Sequence, residues 1–181
     1  MKINWIKYSA IFLFLVSFLI IHIYLKNLTK APEGKLNLNL GSTAPPFSGM
    51  TLSKDEVKLQ DIAKKNKLVV INFFESWCGP CMQEMPDLQK TYSNFKNSGL
   101  EILAVFQSSS EESVKKMISK NSIEFLVIRD RDDYIFKAYG IDGVPATVVV
   151  DSNMKIVRSN SGVDIGLDPF LSDYFMKKGK K

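Results

Sequence analysis

Leu68–Phe74 reads Leu-Val-Val-Ile-Asn-Phe-Phe, an apolar run interrupted only by Asn72. A run without alternation needs cover on both faces, which describes a central strand between two helical layers. The period then changes. From Pro80 to about Asn97, Met82, Met85, Leu88, Tyr92 and Phe95 recur at steps of three and four and make one apolar helix face. Gly99 is placed to stop that helix. Further strands are expected at Phe47–Leu52, Val57–Leu59, Ile102–Phe106, Phe125–Ile128, Thr147–Val150 and Lys155–Arg158. A helix should open at Ser110-Glu111-Glu112, and others should cover Tyr134–Tyr139 and Asp168–Lys178. Strands alternating with helices imply an α/β sandwich on a mixed central sheet.

The chain has 181 residues, room for one such domain and an extension. The extension is N-terminal. Tyr8–Leu25 carries no formal charge and is closed by Lys7 and Lys26. As a helix it would span roughly 27 Å, close to the ~30 Å hydrocarbon core of a bilayer. A buried core helix would show a polar stripe, and this segment is apolar all round. A cleaved signal peptide would have a shorter apolar region ending in small residues. The expectation is an uncleaved transmembrane anchor, with no following cysteine for lipid attachment. Lysine counts on its two flanks hardly differ, and the short head is the easier side to leave inside. The expected organisation is anchor 1–26, tether 27–45, folded domain 46–178 and basic tail 179–181, in a single-pass cell-membrane protein with its domain outside the cytoplasm.

The formal net charge is +5. It comes from the two ends: Lys2, Lys7, Lys26 and Lys30 before the domain, and Lys177, Lys178, Lys180 and Lys181 after it. The remainder holds 16 basic and 19 acidic residues, a balance of −3. A nucleic-acid-binding domain would carry its excess on a folded face, so no nucleic-acid partner is expected.

Both cysteines lie in Trp77-Cys78-Gly79-Pro80-Cys81, between the apolar run and the amphipathic helix. A zinc site needs four ligands, and the one histidine, His22, lies in the anchor. No metal is expected. A disulfide across two intervening residues closes a short loop and constrains the unfolded chain little, which favours a redox role over a stapling one. Cys78 stands at a helix start, where unpaired N–H groups and the helix dipole favour a thiolate. Pro80 suits the first turn, where its missing N–H costs nothing. Cys81 falls one turn further in. Cys78 is then the attacking thiol and Cys81 the resolving one.

These motifs resemble the thioredoxin superfamily, and within it the membrane-anchored, extracytoplasmic TlpA/ResA-type thiol-disulfide oxidoreductases. The resemblance covers roughly residues 41–178. It rests on Gly41-Ser42-Thr43-Ala44-Pro45-Pro46-Phe47, on Val70–Phe74 with the Cys pair and Glu84-Met85-Pro86-Asp87-Leu88, and on Tyr139-Gly140-Ile141 with Gly143-Val144-Pro145-Ala146-Thr147. It implies a thioredoxin-like three-layer sandwich with an N-terminal β-hairpin and an extra strand–helix element. It also implies a cis Val144–Pro145 bond beside the cysteines, with Trp77, Gly79, Pro80, Val144 and Pro145 meeting the substrate. Pro86 should kink the active-site helix. Asn72 stands where cytosolic thioredoxins carry a buried aspartate, and asparagine takes no proton. Glu84, three residues after Cys81, shares its helix face and is the candidate acid/base for it. Glu75 replaces a small residue of the family. Three readings stand for it: a charge that moderates Cys78, a selector of basic partners, or a solvated loop charge.

The implied function is a membrane-tethered protein-disulfide reductase that needs no cofactor beyond its redox-active Cys78–Cys81 disulfide. By family analogy a membrane thiol transporter supplies its electrons. Its substrate is an extracytoplasmic disulfide protein, such as apocytochrome c before haem attachment or an oxidised partner reductase. A thiol peroxidase on a related fold is one alternative, but neither cysteine sits in a Thr-x-x-Cys setting. A non-enzymatic metal-assembly module is another, and it lacks the downstream histidine such relatives use.

Overall fold

The computed structural model describes residues 15–22 and 39–178. The chain falls into two units, Met1–Glu33 and Gly34–Lys181. In the first, residues 15–22 are helical and exposed. The rest of the expected anchor Tyr8–Leu25, most of the tether and the tail 179–181 lie outside the described residues. Among the described residues no helix is long and apolar enough to cross a membrane.

The second unit is built on one seven-stranded sheet. Its strands are β1 (Ser48–Thr51), β2 (Glu56–Lys58), β3 (Leu68–Phe73), β4 (Leu100–Phe106), β5 (Leu126–Arg129), β6 (Ala146–Asp151) and β7 (Ile156–Ser161). They stand in the order β2-β1-β5-β4-β3-β6-β7. β3, β4 and β5 run parallel, while β1, β6 and β7 pair antiparallel with their neighbours. The helices are α1 (Leu59–Lys65), α2 (Gly79–Phe95), α3 (Glu111–Asn121), α4 (Tyr134–Ala138) and α5 (Leu167–Lys178).

Every residue of β3 is fully buried, as its unbroken apolar run demands. Alternate side chains enter two separate cores. Val69, Ile71 and Phe73 pack with residues of α1 and α4. Leu68 and Val70 pack with α2, α3 and α5. The arrangement is three layers, helix–sheet–helix, with a mixed sheet in the middle. β1 and β2 form the N-terminal hairpin.

Helix ends follow their local chemistry. Ser110 caps α3 by accepting from the Ser113 N–H. After α2 a short 3₁₀ turn, Lys96–Ser98, ends at Gly99 with φ 101°, which a side chain would strain. Pro86 lies inside α2, which continues through it.

Two segments differ from the sequence reading. α1 was not anticipated. It has seven residues, and its N-cap is Lys58, whose side chain makes no capping hydrogen bond. Its place is set by burial of Leu59 and Ala63, not by a start signal. The end of the expected tether is also folded. Gly41 N–H donates to the Ile156 carbonyl at 2.7 Å and Ala44 N–H to that of Met154 at 2.8 Å. Ala44 is buried against the first core, so the domain begins several residues before position 46.

Candidate functional site

The site lies where β3 ends and α2 begins. The register pairs Phe73 with Ala146 of β6 and with Val105 of β4. Residues 74–78 therefore leave the sheet between the loop after β4 and the loop before β6. The Val144–Pro145 bond is cis, as the resemblance implied. Cys78 and Cys81 form a disulfide with Cα atoms 5.2 Å apart.

Cys78 is the N-cap of α2 and its sulfur accepts the Cys81 N–H at 3.2 Å. An N–H at a helix start, with the dipole behind it, favours negative charge on that sulfur once the bond is reduced. Cys78 Sγ also lies 3.7 Å from the Val144 carbonyl oxygen. Cys78 is 6% exposed and Cys81 fully buried. Trp77 beside them is 69% exposed, and its indole N–H donates to Ser108 Oγ at 3.1 Å. Gly79 and Pro80 form the first turn of α2.

Asn72 is fully buried on the α2 side of β3. Its Nδ2 donates to Thr147 Oγ1 at 3.3 Å and to Glu84 Oε2 at 3.4 Å. Its Oδ1 has no hydrogen-bond partner among the described residues. Glu84 is buried one turn beyond Cys81. Its Oε1 accepts the backbone N–H of Asp164 at 3.1 Å. Burial pushes the Glu84 carboxyl above the usual glutamate range, and the nearby charges of Asp164 and Asp87 push the same way, while the two hydrogen bonds oppose them. A cavity of about 230 Å³ between α2 and the 163–168 segment reaches Glu84. A carboxyl that holds its proton above the ordinary range, one helical turn from Cys81, is of the kind that can exchange a proton with a thiol.

This raised affinity has a stability consequence. The folded chain holds the Glu84 proton where the unfolded chain has lost it, so stability falls as pH rises from the ordinary glutamate value through the raised one. Glu84→Gln removes that titration. It keeps an acceptor for the Asp164 N–H, and its amide NH2, standing where Oε2 accepts from Asn72 Nδ2, donates to Asn72 Oδ1 once the Asn72 amide turns over. The variant should match the wild type in acid and become the more stable protein as pH approaches neutrality. Thermal unfolding of both across that range checks the sign; a deficit that grows with pH would contradict it.

One part of the site escaped the sequence reading and a second was singled out but placed wrongly. The first is an Arg158–Asp164 pair. Arg158 Nε donates to Asp164 Oδ2 at 2.8 Å, and its Nη2 donates to Oδ1. This pair holds the backbone N–H that meets Glu84. Nothing in the sequence joins residues 84, 158 and 164; only the fold does. The second is Glu75, which requires a correction. It is neither a solvated loop charge nor displayed to basic partners: it is 3% exposed. Its carboxylate accepts the N–H groups of Gln107, Ser108 and Ser109 at 2.9, 2.8 and 2.8 Å, and the Ser109 hydroxyl. Its departure from a small residue was visible in sequence, but its partners lie more than 30 residues away.

Among the described residues no group of three or more His, Cys, Asp or Glu side chains is placed to hold a metal ion.

Residues 40–159 match the AhpC/TSA family. The chain is 34% identical over 128 residues to the thiol-disulfide oxidoreductase ResA of Geobacillus thermodenitrificans, covering 71% of this chain and 72% of that protein. Among solved structures, the thioredoxin domain of a thiol-disulfide oxidoreductase from Bacteroides vulgatus superposes with a TM-score of 0.68 at 31% identity, over 76% of this chain and 98% of that one. A thiol:disulfide interchange protein from Bacteroides sp. superposes with a TM-score of 0.67 at 31% identity, over 76% and 90%.

Proposed function

We propose, given that this chain belongs to the AhpC/TSA family, has the thioredoxin-like fold and is a thiol-disulfide oxidoreductase, that it reduces disulfides of extracytoplasmic proteins from a membrane-anchored position. The observation that carries the reading is the asymmetry of the Cys pair. Cys78 caps a helix beside the exposed Trp77 and the Val144 carbonyl, while Cys81 is sealed beneath it.

The chemistry follows from that placement. In the reduced protein the Cys78 thiolate attacks one sulfur of a substrate disulfide. A Cys78–substrate bond forms, and the other substrate sulfur leaves as a thiolate. Cys81 then loses its proton, and Glu84 is the carboxylate one turn away that takes it. The Cys81 thiolate attacks Cys78 Sγ, the Cys78–Cys81 bond forms and the second substrate thiolate departs. Two electrons pass from the enzyme to the substrate, whose sulfurs end as thiols. Trp77, Gly79, Pro80, Val144 and Pro145 are the surface on which an extended substrate segment lies, the Val144 carbonyl beside Cys78 accepting from its backbone.

The extracytoplasmic setting is supported by Tyr8–Leu25, whose length and composition suit a membrane anchor. A reductant also has work to do where disulfides persist. Electrons reach the Cys78–Cys81 disulfide from a membrane thiol donor. The substrate is an oxidised protein such as apocytochrome c or a partner reductase. A peroxidase reading draws no support from the site, since Glu75 stands three residues before Cys78, where a Thr-x-x-Cys setting needs threonine.

One fractionation experiment tests both halves. Insulin-reducing activity of the dithiol form should sediment with membranes and stay there through carbonate and high-salt washes, because hydrophobic burial resists both. Release by salt alone contradicts the anchor. A membrane fraction containing the reduced chain but unable to reduce insulin contradicts the reductase.

A further inference from the structure

Glu75 is a buried charged group that the exchange chemistry does not use. Three successive backbone N–H groups of the β4–α3 loop converge on its carboxylate, an anion cradle made entirely of the chain. The loop so held is the one that holds the rim of the site. Ser108 Oγ accepts the Trp77 indole N–H at 3.1 Å, and Ser109 Oγ accepts the Ser76 backbone N–H at 2.7 Å. The other end of the same Glu75 residue is tied to the nucleophile: its carbonyl accepts the Cys78 N–H at 3.0 Å. One residue thus fastens Cys78 with its backbone and, through the loop it cradles, Trp77 with its side chain. Trp77 needs such fastening because it is 69% exposed and has little packing of its own.

We propose that Glu75 is a positioning residue for substrate selection: by cradling the 107–109 loop it holds the Trp77 indole as a fixed apolar plate beside Cys78, which favours an extended protein disulfide over a small one. This rests on the reading of Cys78 as the attacking thiol and of Trp77 as a substrate contact. A protein segment is long enough to lie across both. A small disulfide engages the sulfur alone. Holding an aromatic ring in place before the substrate arrives removes part of the ordering cost of binding. That gain belongs to binding and not to the exchange step.

The test uses the full chain with Trp5→Phe, so that Trp77 is the sole indole, and compares it with Glu75→Gly and Ser108→Ala in the same background. Glu75→Gly removes the cradle's anion. Ser108→Ala removes only the indole's acceptor and leaves the cradle intact, so it serves if the first variant folds poorly. Time-resolved fluorescence anisotropy reads the ring, and steady-state kinetics use insulin and oxidised glutathione as the two disulfides. In both variants the Trp77 ring should gain a fast motion. The KM for insulin should rise by about fivefold relative to that for glutathione, with the insulin kcat within about twofold. An immobile ring in both variants overturns the proposal whatever the activity. So does a mobile ring with an unchanged KM ratio, or a loss shared equally by both disulfides. Failure of the unsubstituted chain to reduce insulin would instead strike the reductase reading, and the anisotropy would still decide whether Glu75 positions Trp77.

Discussion

Cys81→Ser is expected to convert the enzyme from a catalyst into a covalent trap. With Cys78 intact, attack on a substrate disulfide proceeds and the mixed disulfide forms. With no second thiol to attack it, the adduct persists. Cys78→Ser is expected to abolish reduction outright, because the remaining sulfur is the one sealed in the core: Cys81 is fully buried, and Cys78 is the one facing Val144. Non-reducing electrophoresis after exposure to oxidised insulin checks both. A band of enzyme plus insulin chain should appear with Cys81→Ser and be absent with Cys78→Ser. The reverse pattern would exchange the roles of nucleophile and resolver and would leave the helix N-cap without its chemical purpose.

Phe73→Ala carries the largest expected stability cost. Phe73 is the last residue of β3 and has no exposed surface. Its ring meets Phe136 edge-on with centroids 5.2 Å apart and Tyr139 at 5.4 Å. Deleting a buried phenyl costs about 3–5 kcal/mol, part transfer and part cavity, out of a total of about 5–15 kcal/mol for an ordinary domain. The cavity would not collapse easily, since Tyr139 is itself pinned by donating its hydroxyl to the Pro45 carbonyl at 2.9 Å. Urea unfolding should show a much lower midpoint with an unchanged slope. A loss under about 1 kcal/mol would mean that this side of the sheet is loosely packed and that the site does not stand on it.

Much of this architecture was legible before the structure because its signals are local. The unbroken run of β3, the three-and-four spacing of α2, the glycine after residue 98 and the serine before α3 each act within a few residues. Those elements lie where the spacing predicts. The Cys pair was equally plain, since thiols, turn and helix start are contiguous. α1 was hidden because its seven residues begin at Lys58, a side chain that makes no cap. The tie from Gly41 and Ala44 to the strand pair at Met154 and Ile156 was hidden because it spans the whole domain. The same limit governs the site. Helical spacing from Cys81 and the family resemblance pointed to Glu84, but the Asp164 N–H and the Arg158 guanidinium behind it come from the far end of the chain. Glu75 was noticed as an oddity and misread, because a carboxylate in a loop reads as solvated until the loop that buries it is in view.

The measurement that bears most directly on the central claim is the equilibrium potential of the Cys78–Cys81 pair, taken in dithiothreitol and glutathione buffer series with thiol alkylation as the readout. The account predicts one cooperative two-electron transition on the reducing side, near the ~−270 mV of thioredoxin, so that the protein gives electrons to other disulfides. A midpoint near ~−120 mV, that of a strong dithiol oxidant, would contradict it and make the same residues those of an oxidase.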